Sequence, residues 1–235
     1  LKTLERKMDR NIEILYEDNH LIAVNKPSGV LVQGDQTGDQ PLSEAIREYI
    51  RVKYKKPGNV FCGVIHRIDR PVSGVVVLAR TSKGLERMSK LFQQKKIKKT
   101  YYAIVERRPE LEEGHLVHWL VKDSKKNFTH AHERQVKDSK LSDLAYKLVG
   151  KVSSYYLLKI KPGSGRSHQI RAQLAKMGCP IKGDIKYGSK HKNKNGSIHL
   201  HAYQLEFEHP TKKEPMRITA ALPKEQIWQQ LSHLT

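Results

Sequence analysis

The sequence predicts an α+β fold in which helices pack against a largely antiparallel sheet. Three observations carry this. Strand-like runs outnumber helix-like ones, and most are joined by short polar turns of the kind that link antiparallel neighbours. The longest apolar run, Gly74-Val75-Val76-Val77-Leu78-Ala79, is β-branched and apolar on both faces, as a buried central strand is. The chain has 235 residues, enough to bury a core without disulfides or metals.

Taken in order, residues 1–11 form a charged extension ahead of a single domain over residues 12–235. Ile12–Tyr16 and Leu21–Asn25 flank the polar Glu17-Asp18-Asn19-His20 and read as a hairpin, closed by Lys26-Pro27-Ser28-Gly29. Leu42, Ala45, Ile46, Tyr49 and Ile50 recur at helical spacing behind Pro41, until Lys56-Pro57-Gly58 breaks the pattern. After the Gly74–Ala79 strand, Ser82 is placed to cap a helix that turns Leu85, Met88, Leu91 and Phe92 inward. Further strands are expected at Thr100–Val105, Leu116–Val121, Leu144–Val149, Tyr155–Ile160, Leu200–Phe207 and Met216–Ala220. Ser167 is placed to cap a last helix over His168–Met177, with Ile170 and Leu174 inward and Gly178 as its stop.

Lys and Arg number 44 against 24 Asp and Glu, so the formal charge is +20, an excess that favours polyanionic partners. Nucleic acid is the default polyanion; no segment joins a long apolar face to a basic one, so a membrane partner is not expected. Lysines kept for solubility alone are the bland alternative. No secretory h-region is present, and the two cysteines, Cys62 and Cys179, show no close pairing, which points to the cytoplasm. Both read as small core residues. Cys62-x-x-x-His66 and His199-x-His201 match no zinc spacing, so no metal is expected.

Two segments carry candidate chemistry. His66-Arg67-Ile68-Asp69-Arg70 precedes the central strand, where a loop meets a rigid scaffold. An aspartate between two arginines is favoured in its ionised form, able to act as nucleophile or base, and the same string also fits a structural Arg–carboxylate pair. Gly163-Ser164-Gly165-Arg166-Ser167 runs into the last helix and offers amides to an anion, or is a tight turn. It lacks the Gly-Lys-Ser/Thr ending of a nucleotide-binding loop. His168 and Arg171 share a helix face opposite Ile170 and Leu174, so they are expected to project together away from the core.

Taken together, the segments resemble the RluA-like family of pseudouridine synthases, which isomerise uridine in ribosomal and transfer RNA. The resemblance rests on Ile14-Leu-Tyr-Glu-Asp18 with Val24-Asn-Lys-Pro-Ser-Gly29, His66-Arg-Ile-Asp-Arg-Pro-Val-Ser-Gly74, Lys99-Thr-Tyr-Tyr-Ala-Ile-Val105, Gly165-Arg-Ser-His-Gln-Ile-Arg171 and Gly178-Cys-Pro-Ile-Lys-Gly-Asp184. The His-Arg-x-Asp and Gly-Arg-x-His-Gln-x-Arg elements are the specific ones. Val72 stands where the family usually has threonine before Ser-Gly, and Ser164 where it usually has threonine before Gly-Arg.

The resemblance implies a pseudouridine-synthase-type catalytic domain, an isomerase that uses no cofactor and acts on RNA. Asp69 is then the catalytic aspartate, Tyr101 the active-site tyrosine and Arg171 the basic partner of the aspartate. Arg67 corresponds to the residue that fills the gap left by an extruded base. RNA contacts are expected from His66, Arg67, Arg70, Lys99, Arg166 and His168. A monomer is expected, because no apolar interface stripe is evident. Relatives often carry a small N-terminal RNA-binding domain, whereas little precedes Ile12 here. Two other readings stay open: an RNA-binding module without catalysis, which has no need of Asp69, and a phosphate-handling enzyme using the Gly163–Ser167 loop.

Overall fold

The computed structural model describes residues 12–235; the expected extension over residues 1–11 lies outside them. The chain forms two compact units, residues 12–97 with 204–221 and residues 98–203 with 222–235.

In the first unit, strands β1 (Glu13–Glu17), β2 (Leu21–Lys26), β4 (Ser73–Ala79) and the Gln204–Glu208 part of β10 (Leu200–Glu208) follow one another in that order. A two-residue strand, β3 (Gly63–Val64), pairs with β4, and β11 (Pro215–Thr219) with β10. As the run of valines predicts, β4 is buried on both faces. It pairs antiparallel with β2 from Leu21 opposite Ala79 to Lys26 opposite Gly74. Helices α1 (Leu42–Lys53) and α2 (Ser82–Gln93) complete the unit. Leu21, Ala23, Val75 and Val77 share a core with Met88 of α2 and with Leu205, Phe207 and Ile218.

The expected hairpin forms, and its turn is built on Asp18. One carboxylate oxygen accepts the amides of His20 and Leu21, and the other meets the Tyr16 hydroxyl and His209 Nε2. Burial raises this carboxyl, but the two amides, the hydroxyl and the imidazole outweigh it and hold it at about 2. The cap of α2 is Thr81 and not Ser82, its hydroxyl accepting the Gly84 amide at 3.0 Å. The two residues are adjacent hydroxyl side chains, and only Thr81 has the extended backbone a cap requires.

The second unit orders its strands as the Leu200–Tyr203 part of β10, then β5 (Lys98–Val105), β9 (Tyr155–Pro162), β8 (Lys140–Val152), β6 (Glu113–Asp123) and β7 (Phe128–His132). The pairs β5–β9, β9–β8, β8–β6 and β6–β7 are all antiparallel. Tyr102, Ile104 and Leu157 pack with Trp228 of α4 (Gln226–Gln229) and with Leu231. Strand β7 has no counterpart among the expected elements. Its alternation places Phe128, His130 and His132 on one side and Thr129 and Ala131 on the other, a pattern with little hydrophobic contrast.

Helix α3 (Gln169–Lys176) is shorter than expected. His168 stands at its N-cap in a left-handed conformation, φ +53°, and neither His168 nor Ser167 caps it through a side chain. Residues 169–174 are all buried, so the expected outward polar face does not exist. The amide of Gln169 donates to Asp143 O, and that of Gln173 to Leu116 O and Ser142 O, so polar side chains join the helix to β6 and β8. Among the described residues no helix is long and apolar enough to cross a membrane.

A Cβ added at Gly84 would stand 2.7 Å from His20 O, a main-chain atom held by the Arg80 amide. Helix propensity alone favours alanine by about 1 kcal/mol. Overpacking against backbone costs about 1–3 kcal/mol and outweighs it. Gly84→Ala is therefore expected to lower the urea midpoint, whereas a substitution with room for its Cβ would raise it.

Candidate active site

The loop between β3 and β4 carries Asp69 and is braced from three sides. At its start, His66 Nε2 accepts the Val77 amide at 3.0 Å, continuing the ladder of β4 where the two residues of β3 end, and the ring stacks on Phe92 of α2 at 4.7 Å. Ile68 is buried between exposed Arg67 and partly buried Asp69. The Val72 amide closes a turn onto Asp69 O at 3.0 Å. On the far side, the turn after β2 grips the loop: the Gly29 amide donates to Arg70 O at 2.8 Å and the Ser28 hydroxyl to Pro71 O at 2.9 Å.

Lys26 stands behind that turn with a fully buried side chain. Its ammonium donates to Val30 O at 2.7 Å, Pro27 O at 3.0 Å and Arg70 O at 3.2 Å. Burial pulls the amine down to about 7, against the charge of Asp69, which pulls it up. Sequence reasoning gave Lys26 no role; its only signal was the Asn-Lys-Pro string, which is uninformative until the fold sets that string against the Asp69 loop.

Arg70 was expected to contact RNA. Its guanidinium, on an exposed side chain, pairs with Asp39 at 2.6 Å and donates to Gly29 O at 3.0 Å, a second clasp on the same turn. His66 is likewise engaged, its Nε2 and ring face both used inside the unit. Arg67 keeps an exposed side chain.

Tyr101 and Arg171 belong to the second unit. Tyr101 lies on β5 opposite Ile160, half-buried, on the face that Ala103 and Val105 share. Lys99, two residues earlier, donates to Ser164 O at 2.6 Å and so ties β5 to the loop ahead of α3. In that loop Gln169 Oε1 accepts the Ser164 hydroxyl and the Arg166 amide, leaving the Arg166 side chain exposed.

Arg171 is buried, contrary to the expectation of a solvated basic face. Its Nε and Nη2 donate to the two oxygens of Asp184 at 2.7 and 2.9 Å. Its guanidinium carbon lies 4.9 Å from the ring centre of Tyr187, in the 3₁₀ turn Ile185–Tyr187. The Tyr187 oxygen accepts the Thr129 amide at 2.8 Å and meets His168 Nδ1 at 2.9 Å. Burial raises the Tyr187 hydroxyl, while the Thr129 amide and Arg171 act to lower it. His168, expected to touch RNA, is thus buried against Tyr187 because the left-handed backbone at the N-cap turns it inward.

Three further titratable groups have structural settings. Burial pushes the Cys62 thiol up to about 11 and raises that of Cys179, which fits core packing better than nucleophilic use. His199 pairs with Glu225 at 3.1 Å and stacks on Trp228. Among the described residues no group of His, Cys, Asp and Glu is arranged to hold a metal ion.

Comparison with known proteins places these motifs. The family model described as RNA pseudouridylate synthase matches residues 20–176, which include the Asp69 loop, β5 and the whole of α3. This chain belongs to that family. The synthase is 32% identical to the "tRNA pseudouridine synthase C" of Vibrio cholerae over 94% of both chains. It is 34% identical to the "Ribosomal large subunit pseudouridine synthase C" of Buchnera aphidicola subsp. Schizaphis graminum over 94% of this chain and 71% of that one. The solved structure of "Human RNA Pseudouridylate Synthase Domain Containing 4" shares the fold with a TM-score of 0.77 at 22% identity, over 99% of this chain and 94% of that chain. The synthase is therefore an isomerase of the kind the resemblance implied, and its mostly antiparallel sheet with a few helices is the expected fold.

Lys26→Met leaves the carbonyls of Pro27 and Val30 without their ammonium donor and is expected to destabilise the synthase by about 2–4 kcal/mol in urea. The pH dependence has a definite sign. The unfolded chain keeps the Lys26 proton up to the usual 10.5, the folded chain only to about 7. Between those values the unfolded state binds more protons, so this residue's contribution to stability grows with pH and is lost as pH falls through 7. The difference in urea midpoint between wild type and Lys26→Met should widen from pH 7 towards 10.5.

Proposed function

We propose that the synthase converts uridine to pseudouridine in transfer or ribosomal RNA, with Asp69 as the catalytic carboxylate. The observation that carries this is the Asp69 loop: the segment that bears the carboxylate is braced at His66, Arg70 and Pro71, and so is held in place for chemistry. The names of the relatives, synthases of transfer and of ribosomal RNA, give the substrate class.

In the reaction the bond from ribose C1′ to uracil N1 breaks, the base turns, and C1′ joins C5. C5 loses its proton and N1 gains one, so atoms and electrons balance without a redox partner. The target nucleotide leaves its stack to reach Asp69, at a cost of about a few kcal/mol, least in a loop. The exposed Arg67 fills the vacated space and offsets part of that cost. Asp69 attacks C1′ or the base, or removes a ribose proton, and each route uses the ionised form. Arg171 supplies the catalytic positive charge that the resemblance implies. The Tyr101 ring stacks on the flipped uracil, and its hydroxyl assists removal of the C5 proton.

Pseudouridine mapping of transfer and ribosomal RNA from cells with and without the gene should show at least one uridine modified only when the gene is present. Asp69→Asn should bind that RNA normally while its turnover falls by about 10²–10⁴-fold or more. A variant that turns over like wild type removes Asp69 from the mechanism, and a wild-type protein that binds RNA yet never yields product supports the non-catalytic module.

Phosphate contacts are expected from exposed Arg166 and from the basic Lys186–Lys194 segment, which Asn193 ties down through Lys182, Ser197 and His199. Replacing Arg166 by alanine should weaken binding evenly across RNA sequences and lower the slope of log K against log salt by about 1. An unchanged slope assigns Arg166 no phosphate.

A further inference from the structure

The segment Gly178–Asp184 carries a motif to which the function above assigns no role, and it ends on the residue that holds Arg171. The two side chains are 6% and 1% exposed, so water does not share the contact. A guanidinium bound through Nε and Nη2 to both oxygens of one carboxylate has its plane and direction set, which a single hydrogen bond does not do. Tyr187 lies against the guanidinium and is itself locked by the Thr129 amide and by His168. Stability does not account for this arrangement, because a buried ion pair is often no better than apolar residues of the same volume. What the pair supplies is geometry.

We propose that Asp184 is a positioning residue of the synthase, holding the Arg171 guanidinium in the single orientation in which it serves the reaction. This rests on the role given to Arg171 above. Asp184 touches no reacting atom; it acts through Arg171, and the Tyr187 ring steadies the same group.

The test compares wild type with Asp184→Asn, Asp184→Glu, Arg171→Met and the double variant Arg171→Met/Asp184→Asn. Each is assayed on transfer and ribosomal RNA from cells lacking the gene, with thermal unfolding to measure the folded fraction. Asp184→Asn should lower kcat by about 10- to 100-fold, the effect of misplacing a group by about 1 Å, with KM for RNA nearly unchanged. The double variant should be no slower than Arg171→Met, since nothing remains to be positioned. Asp184→Glu keeps the charge balance of the buried site, so it folds even where the amide variant does not, and its kcat should fall between those of wild type and Asp184→Asn. A folded Asp184 variant with wild-type kcat overturns the proposal, as does a loss that adds fully to that of Arg171→Met. Slow Arg171→Met beside fast Asp184→Asn sinks only the role of Asp184. Arg171→Met at the wild-type rate sinks the role of Arg171 and this inference with it.

Discussion

A fully buried ammonium solvated by three main-chain carbonyls is the contact on which the geometry of the first unit turns. Withdrawing such a charge from water costs several kcal/mol. Hydrogen bonds to a charged group return about 1.5–3 kcal/mol each, and here three of them converge. Two acceptors, Pro27 and Val30, belong to the turn after β2, and the third, Arg70, to the loop that bears Asp69. Moving that loop would take an acceptor from an amine held in a dry interior, so the segment that bears the carboxylate is tied to β2 and β4. The amide of Gly29, the hydroxyl of Ser28 and the Arg70–Asp39 pair add to the same grip.

The arginines and histidines of the specific motifs divide into two kinds. Arg70, Arg171, His66 and His168 are engaged inside their units by carboxylates, carbonyls, an amide or an aromatic ring. Arg67 and Arg166 are exposed, and so is Arg70 although it is paired. The motifs that look like one basic surface in the sequence therefore do two jobs: Arg171 and the two histidines are built into the scaffold, while the other three arginines face solvent, Arg70 also clasping the turn through Asp39 and Gly29. The net charge of +20 is supplied largely by lysines outside those motifs, among them the Lys186–Lys194 segment.

The sheet was legible because its strands are bounded by turns and β4 is a run of valines, the pattern of burial on both faces. Strand β7 was not, since histidines alternate with threonine and alanine and give no apolar period, and β3 is too short to leave one. Asp69, Tyr101 and Arg171 were visible through resemblance rather than through periodicity. Lys26 and Asp184 were visible only as letters in motifs: what each does depends on partners 44 and 13 residues away. The error over His168 and Arg171 has a single cause. Helical spacing separates one face from another, but it cannot say that both faces are covered, and α3 is enclosed by the sheet on one side and by the Asp184–Tyr187 segment on the other.

The glutamines of α3 have a mechanical consequence. An apolar helix face can slide or roll over a sheet with little change in energy, because contact between hydrocarbon surfaces has no preferred direction. Gln169 and Gln173, one turn apart, plug their amides into particular carbonyls of β6 and β8 and admit only one azimuth. At about 100° per residue, a roll by a single position would swing Arg171 clear of Asp184. The helix is keyed like a shaft in its hub, and the bearing of its arginine is set by the two amides on its opposite flank.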